Sequence, residues 1–544
     1  MSSRTVSQYI VDQLEAWGVE RIYGVAGDAI LPLLDALGKQ KKLTYIRCRH
    51  ESAAAMMASA EAKLTRKPAV CMATSGPGTV NLLNGLADAH IDRVPVIALT
   101  GQVETHKLGG NYKQYIDQQH LLGEISHYSA NVANPLAMRT VLHRAFVTAS
   151  QRKGVTHVSI CKDVFQKLTD LPLLDLLPQA NRYVQGERTD ILQGLDLLQK
   201  AKRPVFLLGA GTRDVSQAVL SLAEKLGAGI VLTLGAKGVV PGLHPQVLGS
   251  LGEGGSKATV QALTEADMLV IFGATWFPRS FIPQGLSMIQ VDENPEAFHA
   301  IPSLHPVAAK VDEVLPVWSK RLVSHTENSE WLQRVHELHQ SYLQEWSTQH
   351  ELSTDKVRPE TVIRILEETA QTDAIIALDT GEHTVWFNRV FHGEKHLPLF
   401  SGKWRTMGFG LPAAISAKLC SPHRQVVAVV GDGGLMMNMG ELMTARETGA
   451  AITVIVLNNG TLGLEEVKMK QEGFTPFGTR LENPQFDKLA QAFGWKTWKT
   501  ETEQQLREAL AQAFANREPA LIEVMCTLPT LTPIAKEIIL QTQA

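Results

Sequence analysis

Short β-branched apolar runs alternate with helix-spaced apolar stripes along nearly the whole chain. The first stripe puts Val6, Ile10 and Leu14 on one face, with Thr5 as cap and Gly18 as stop, and predicts an amphipathic helix. Strand-like runs follow at 21–25, 44–48, 69–73 and 94–99. They end in Ala26-Gly27-Asp28, Arg49-His50-Glu51, Ser75-Gly76-Pro77-Gly78 and Thr100-Gly101, and the alternation continues to about Val164. A second series opens at Arg203-Pro204-Val205-Phe206-Leu207-Leu208 and continues at 230–234, 268–272 and 288–291. A third begins near Arg358, with runs at 375–378, 426–430 and 454–457. Between the last two, Leu435, Met436, Met439, Leu442 and Met443 recur at helical spacing before Gly449, a C-cap glycine. The stretch 168–187 reads as an exposed connector. Residues 317–355 read as a long linking helix striped by Trp331, Val335, Leu338 and Tyr342. Repeated strand–helix units of this kind predict parallel sheets with helices on both faces. The expected fold is α/β, with three doubly wound parallel-sheet domains at 1–167, 188–320 and 356–530.

Composition narrows the class. A chain of 544 residues is too long for one core, which agrees with three domains. With 44% hydrophobic and 20% charged residues and a net charge of −3, it reads as a globular enzyme with no basic field for nucleic acid. The start leads straight into the first helix, and no apolar run has membrane length, so a cytoplasmic protein without an integral membrane segment is expected. Cys48, Cys71, Cys161, Cys420 and Cys526 show no CxxC spacing and read as reduced thiols.

The chemistry gathers at strand ends. A right-handed crossover between 426–430 and 454–457 would bring Asp432 and Asn459 together at the carboxyl edge of the sheet, where open α/β sheets bind ligands. One carboxylate and one amide oxygen are hard ligands, too few to cage a cation alone. They suit Mg²⁺ that keeps phosphate oxygens and water as its other ligands. Gly433 and Gly434 open the next helix and let main-chain amides approach a diphosphate. Glu51 also starts a helix after a strand; taken alone it is a first-turn glutamate favoured by the helix dipole. By the same standard His383 is a structural histidine, and Gly209-Ala210-Gly211 is a turn.

Two motif pairs change that weighing. Gly431-Asp432-Gly433 followed by Asn458-Asn459 resembles the diphosphate-binding signature of the thiamine diphosphate (ThDP) enzymes. Arg49-His50-Glu51 followed by Ser75-Gly76-Pro77-Gly78 resembles their pyrimidine-binding domain. Thr406-Met407-Gly408-Phe409-Gly410-Leu411-Pro412 is similar to the matching segment of acetolactate synthases and pyruvate oxidases, and the chain as a whole most resembles bacterial pyruvate oxidases. The three domains are then pyrimidine-binding, central flavin adenine dinucleotide (FAD) or nucleotide type, and diphosphate-binding. The resemblance implies that Glu51 bonds the aminopyrimidine ring and promotes its imino tautomer, whose nitrogen can deprotonate the thiazolium carbon. It implies that Met407 lies beneath the bent cofactor and that Gln114 faces the reaction centre. Further ThDP contacts are implied for Gly27, Ser75, Gly76, Gly381, Glu382, His383 and Thr406, and for Gly431, Gly433, Gly434, Leu462 and Gly463. Asp432, Asn459 and Thr461 are the implied metal ligands.

The loop from Gly273 to Pro283, with Trp276 and Arg279, resembles the flavin-contacting loop of pyruvate oxidases. FAD contacts are therefore expected at Gly209, Gly211, Gly252, Gly254, Gly273, Trp276 and Arg279, and at Asp292, a strand-end carboxylate able to bind a ribose hydroxyl. The implied activity is decarboxylation of a small-molecule 2-oxo acid, pyruvate first, with two electrons passed to FAD. Joining to a second oxo acid, as in acetolactate synthases, is the alternative. A non-catalytic binding subunit would lack Glu51, Asp432 or Asn459, and a nicotinamide dehydrogenase would want an acid where 230–234 runs into Gly235-Ala236-Lys237. In the family the two ThDP domains meet across subunits, so a homodimer with shared active sites, or a tetramer, is implied. Lys113 and Lys468 depart from the family pattern, which opens the option of a more anionic substrate. The segment 534–544 is too short for the membrane-binding tail of some quinone-linked oxidases.

Overall fold

The structure is a computed structural model describing residues 4–175, 188–298, 300–324, 330–347 and 356–528. The later part of the connector and the segment 534–544 lie outside the described residues. Three six-stranded sheets carry the chain, all of whose paired strands run parallel. Beside them the strand Arg4–Thr5 pairs antiparallel with Leu168–Thr169, tying the start of the first domain to its end. The first helix is Val6–Ala16, and a Thr5–Gln8 capping box satisfies its first amides.

The first and third sheets share one plan. Numbered by chain order within each domain, their strands run 2-1-3-4-6-5 across the sheet. The central sheet runs 3-2-1-4-5-6, the order of dinucleotide-binding domains. Each plan has one point where successive connections leave in opposite directions. It lies between Arg21–Gly24 and Ala69–Ala73 in the first sheet, between Pro204–Leu208 and Met268–Phe272 in the second, and between Ile375–Leu378 and Val426–Gly431 in the third. The loops leaving these strand pairs open a crevice that no crossover helix fills, which is why ligands bind there.

The apolar runs become the inner strands. Val426–Gly431 pairs with Thr453–Asn458 as expected. Between them the helical stripe is broken in two, Asp432–Asn438 and Glu441–Thr448, with Gly449 capping the second at a φ of 66°. Met436 and Met437 stay exposed as a result. The helix Glu330–Ser347 is more than a linker, since Trp331, Val335, Leu338 and Tyr342 share a core cluster with Val205, Leu207 and Leu248 and cover a face of the central sheet.

The outer domains pack on each other through Glu51–Thr65 and Gly410–Cys420. Their alanines make this possible: Ala53, Ala54, Ala55 and Ala58 on one helix and Ala413, Ala414 and Ala417 on the other are all buried. At Gly85, a Cβ would lie 2.6 Å from the Met56 main-chain nitrogen, so the helix Pro77–Ile91 closes in backbone to backbone. Among the described residues no helix is long and apolar enough to cross a membrane.

Candidate active site

Asp432 is one of two carboxylates at the third sheet's edge that each accept three hydrogen bonds. It begins a helix straight after its strand, and its Oδ1 accepts from Gly433 N at 2.8 Å. Its Oδ2 accepts from Gly460 N at 2.8 Å and Asn483 Nδ2 at 2.7 Å. The crossover thus brings Asp432 against the loop that carries Asn459. Burial pushes the Asp432 pKa up while these donors pull it back. Asn459 Oδ1 accepts from Thr461 N at 3.1 Å. The Thr461 hydroxyl turns away, to Glu466 Oε2 at 2.8 Å and Thr479 O at 3.0 Å. A metal contact from Thr461 would therefore come from its main-chain carbonyl. No group of three His, Cys, Asp or Glu side chains converges on a metal-sized point among the described residues. A cation at Asp432 would have to take amide, carbonyl and phosphate oxygens, the coordination habit of Mg²⁺.

Gly433 keeps this place open. A Cβ there would lie 2.8 Å from Leu462 Cδ2 and 3.3 Å from Met407 Cε, so the methionine already reaches the start of the Asp432 helix. Asp379 holds the Met407 loop. Its carboxylate accepts from Gly408 N at 2.9 Å, Gly410 N at 3.0 Å and Thr380 N at 2.7 Å. Full burial raises its pKa to about 6 against those three donors. His383 shares the pocket floor, with Nε2 2.9 Å from the Asp379 carbonyl, and burial lowers its pKa to about 4, leaving it neutral at pH 7.

The first sheet's edge gathers another set. Glu51 Oε2 accepts from Asn81 Nδ2 at 3.0 Å, and a Cβ at Gly78 would lie 3.2 Å from Glu51 Oε1. Gly76, at a φ of +64°, has Gln114 folded over it: a Cβ would meet the Gln114 carbonyl at 2.8 Å. Gln114 is itself exposed and left-handed, at a φ of 61°. Gly27 packs on the Thr74 side chain, beside the buried Ser75. Asn84 then ties this domain to the other, donating to Thr406 Oγ1 at 2.9 Å and accepting from Trp404 Nε1 at 2.8 Å.

A cavity of about 1320 Å³ runs from Asp432 to the central domain. Gly381, Glu382, His383, Met407, Gly431, Gly433, Gly434, Asn459, Thr461, Leu462 and Gly463 line one arm. Gly209, Gly211, Gly252, Gly254, Gly273, Trp276 and Asp292 line the other. Glu51, Gln114, Gly27, Ser75, Gly76, Thr406 and Arg279 are outside the lining. Within one chain, then, the Asp432 cluster lines this cavity and the Glu51 cluster does not.

The comparisons with known proteins fall on this geometry. The family description "Thiamine pyrophosphate enzyme, N-terminal TPP binding domain" matches residues 4–121, the central domain of the same family matches 191–317, and its C-terminal TPP binding domain matches 379–524. The chain belongs to the thiamine pyrophosphate enzymes. It is 34% identical over 531 residues to the putative thiamine pyrophosphate-containing protein YdaP of Bacillus subtilis, covering 96% of this chain and 92% of that one. It is 33% identical over 533 residues to the acetolactate synthase isozyme 1 large subunit of Escherichia coli, with 96% and 93% covered. With the probable acetolactate synthase large subunit of Methanocaldococcus jannaschii the identity is 31% over 563 residues, with 97% and 93% covered. The chain is thus a ThDP-dependent enzyme of the decarboxylating or carboligating kind.

Several residues of this thiamine pyrophosphate enzyme's site escape motif reading. Asn483 spans Asp432 and Asn458, reaching the second at 3.0 Å, from a position 51 residues beyond the aspartate. Glu466 is buried, gathers Thr461, Lys470 and Arg480, and so anchors the loop that carries Asn459. Asp379 lay in plain sight at a strand end, the one signal that marked it. The central glycines also have a packing role. A Cβ at Gly209 would collide with Gly273 O, and one at Gly211 would lie 2.9 Å from Gly273 Cα. These two loops pack on each other at the switch point, with the Gly209, Gly211 and Gly273 amides bonded to main-chain carbonyls, and both loops line the cavity. On the opposite wall Asn388 Oδ1 is buried without a hydrogen-bond partner, the kind of acceptor a bound ligand satisfies.

Proposed function

We propose that the chain decarboxylates a 2-oxo acid, pyruvate foremost, in assemblies of at least two copies in the cytoplasm. Glu51 of one copy would complete the Asp432 half-site of another. The observation that carries the reading is the single cavity joining the Asp432–Met407 arm to the central-domain arm. When bound, ThDP supplies a carbon nucleophile and an electron sink.

The protein's own groups do the rest. Asp432 and Asn459 hold Mg²⁺ and with it the diphosphate, while Gly433 leaves that space clear. Met407, kept in place by the Gly408 and Gly410 amides on Asp379, would support the cofactor's rings without offering a competing polar group. Glu51, oriented by Asn81, bonds the aminopyrimidine and governs its proton. FAD in the central-domain arm would accept two electrons, making the enzyme pyruvate oxidase-like. Asn388 and the 3-2-1-4-5-6 sheet support that reading.

Carboligation is favoured by a different fact, the acetolactate synthase names of two of the relatives. The absorption spectrum of the purified protein separates the two. Flavin bands bleached by pyruvate with no added acceptor mark the oxidase; an acetohydroxy acid product without bleaching marks the carboligase. An exposed Lys468 paired to Glu465 at 3.1 Å gives little support to a special anionic substrate.

A further inference from the structure

Among the described residues five non-glycine positions take a positive φ: Arg66, Arg93, Gln114, Lys153 and Arg405. Arg66 and Lys153 are the C-caps of Glu51–Thr65 and Met138–Arg152, and Arg93 comes just after the helix Pro77–Ile91 and its cap Asp92. A helix end explains those three. Gln114 lies over Gly76 in the Glu51 cluster. Arg405, at a φ of 56°, has no helix to close. It stands two residues before Met407 on the wall of the large cavity.

The loop around Arg405 is fastened on both sides of it. Asp92 accepts from Gly402 N at 2.7 Å and Lys403 N at 2.8 Å, and pairs with Lys63 Nζ at 2.8 Å. Trp404 donates its indole N–H to Asn84, Thr406 N donates to Ser401 Oγ at 3.0 Å, and Gly408 N donates to Asp379. The exposed side chains of Lys403 and Arg405, both on the cavity wall, form no ion pair or hydrogen bond among the described residues. Asp92, the carboxylate this loop does touch, is already engaged. A left-handed φ is unfavourable for a residue with a Cβ, and outliers of this kind gather where the surrounding structure holds a side chain for a ligand.

The reaction limits which anion that ligand brings. Every 2-oxo acid has a carboxylate on its keto carbon, but that one leaves as CO₂. A guanidinium held against it would stabilise the charged ground state more than the transition state and slow the loss. A cation on this wall serves an anion that the substrate keeps.

We propose that Arg405 receives the distal carboxylate of a dicarboxylic 2-oxo acid, with Lys403 adding attraction from the same loop. The planar fork of guanidinium N–H groups fits a carboxylate through two parallel bonds. Lys468 lines the same cavity but is already paired to Glu465 at 3.1 Å. The inference rests on the decarboxylation reading and widens its substrate beyond pyruvate.

The test compares acids that differ in one group. The acids 2-oxoglutarate and 2-oxopentanoate have the same chain length, and only the first has a distal carboxylate. Release of CO₂ from the carboxylate beside the keto carbon is measured for both, and for pyruvate, on the full chain loaded with ThDP and Mg²⁺, with ferricyanide as electron acceptor. That readout is shared by an oxidase and a carboligase. The wild type is expected to favour 2-oxoglutarate over 2-oxopentanoate by about tenfold or more in kcat/KM. Arg405→Gln should raise KM for 2-oxoglutarate about tenfold and leave kcat/KM for the other two acids within about twofold, with Arg405→Lys in between. Arg405→Gly adopts the left-handed φ freely and lacks the guanidinium, so it separates charge from backbone and should lose the preference as Arg405→Gln does. A wild type without the preference, an Arg405→Gln or Arg405→Gly protein that keeps it, or an equal loss on all three acids overturns the proposal. If no acid releases CO₂, the decarboxylation reading falls, and calorimetric titration of 2-oxoglutarate into the wild type and Arg405→Gly decides the anion site by itself. Binding weakened about tenfold in the variant supports it, and equal binding or none overturns it.

Discussion

The first and third domains are built on one strand order and place their chemistry at the same edge, yet the two edges are finished differently. At the third, Asp432 and Asp379 are each held by three amide donors, and Glu466 by the Thr461 hydroxyl, Lys470 and Arg480. At the first, Glu51 has the Asn81 amide as its hydrogen-bonded neighbour, and Gln114 stands exposed over Gly76. The difference matches what each is proposed to hold. A metal and a diphosphate demand rigid oxygen geometry, so their ligands are locked before anything binds. A proton relay to an aromatic ring demands a carboxylate whose remaining bonding capacity is left for the ligand.

If that contrast is right, damage to the two edges should look different. Asp432→Ala removes the proposed anionic ligand and leaves Gly433 N and Gly460 N without their acceptor. We expect a fall of about a thousandfold in kcat/KM, with weakened Mg²⁺-dependent ThDP binding followed by tryptophan fluorescence. Intact ThDP affinity in this variant would break the comparison.

The locked edge should also announce itself in pH dependence. Asp379 has a folded pKa raised from 3.8 to about 6, so its contribution to stability is full below pH 3.8 and is lost as pH rises through 6. His383 is lowered from 6.5 to about 4, so its contribution is full above pH 6.5 and is lost as pH falls through 4. Each is worth roughly 3 kcal/mol at about 1.4 kcal/mol per pH unit, and between pH 4 and 6 they oppose each other. Melting temperatures should therefore rise from pH 4 to 6 in Asp379→Asn and fall over the same range in His383→Gln. Parallel slopes in the two variants would refute the assignment.

Glu51→Gln keeps the shape of the open edge and deletes its charge. A loss of about a hundredfold in kcat is expected, with ThDP affinity within about threefold of the wild type. Asn483→Ala strips one donor from Asp432 and should cost about tenfold in Mg²⁺ affinity, read by titration in the presence of ThDP. Lys468→Ala loosens only an exposed pair with Glu465, and kcat/KM for pyruvate should change by less than about twofold. A selective loss on a dicarboxylic oxo acid would instead give Lys468 a role in choosing the substrate.

Much of this architecture was legible from the chain alone. The inner strands 69–73, 268–272 and 375–378 matched their apolar runs residue for residue, because a strand buried on both faces has no other composition available. Edge strands hid. Lys496–Thr500 reads Lys-Thr-Trp-Lys-Thr, a sequence shaped by solvent on one side rather than by a core. Asp432 and Asn459 were found because a crossover of fixed hand turns their spacing into proximity. Asn483, Glu466 and the Asn84–Thr406 link were not, since no rule of local geometry connects positions that only a folded loop or a neighbouring domain brings together.

The amino-acid order by itself determined the three sheets, the glycine-ended loops and the strand-end places of Glu51 and Asp432, all of them features written within one strand–helix–strand unit. Tertiary structure alone decided that Asp432 lines the large cavity while Glu51 stays outside it. It also decided that the Gly209 and Gly273 loops pack on each other along that cavity. Burial, repulsion and shared acceptors are sums over groups distant in sequence, and they take values only once the domains are closed on one another.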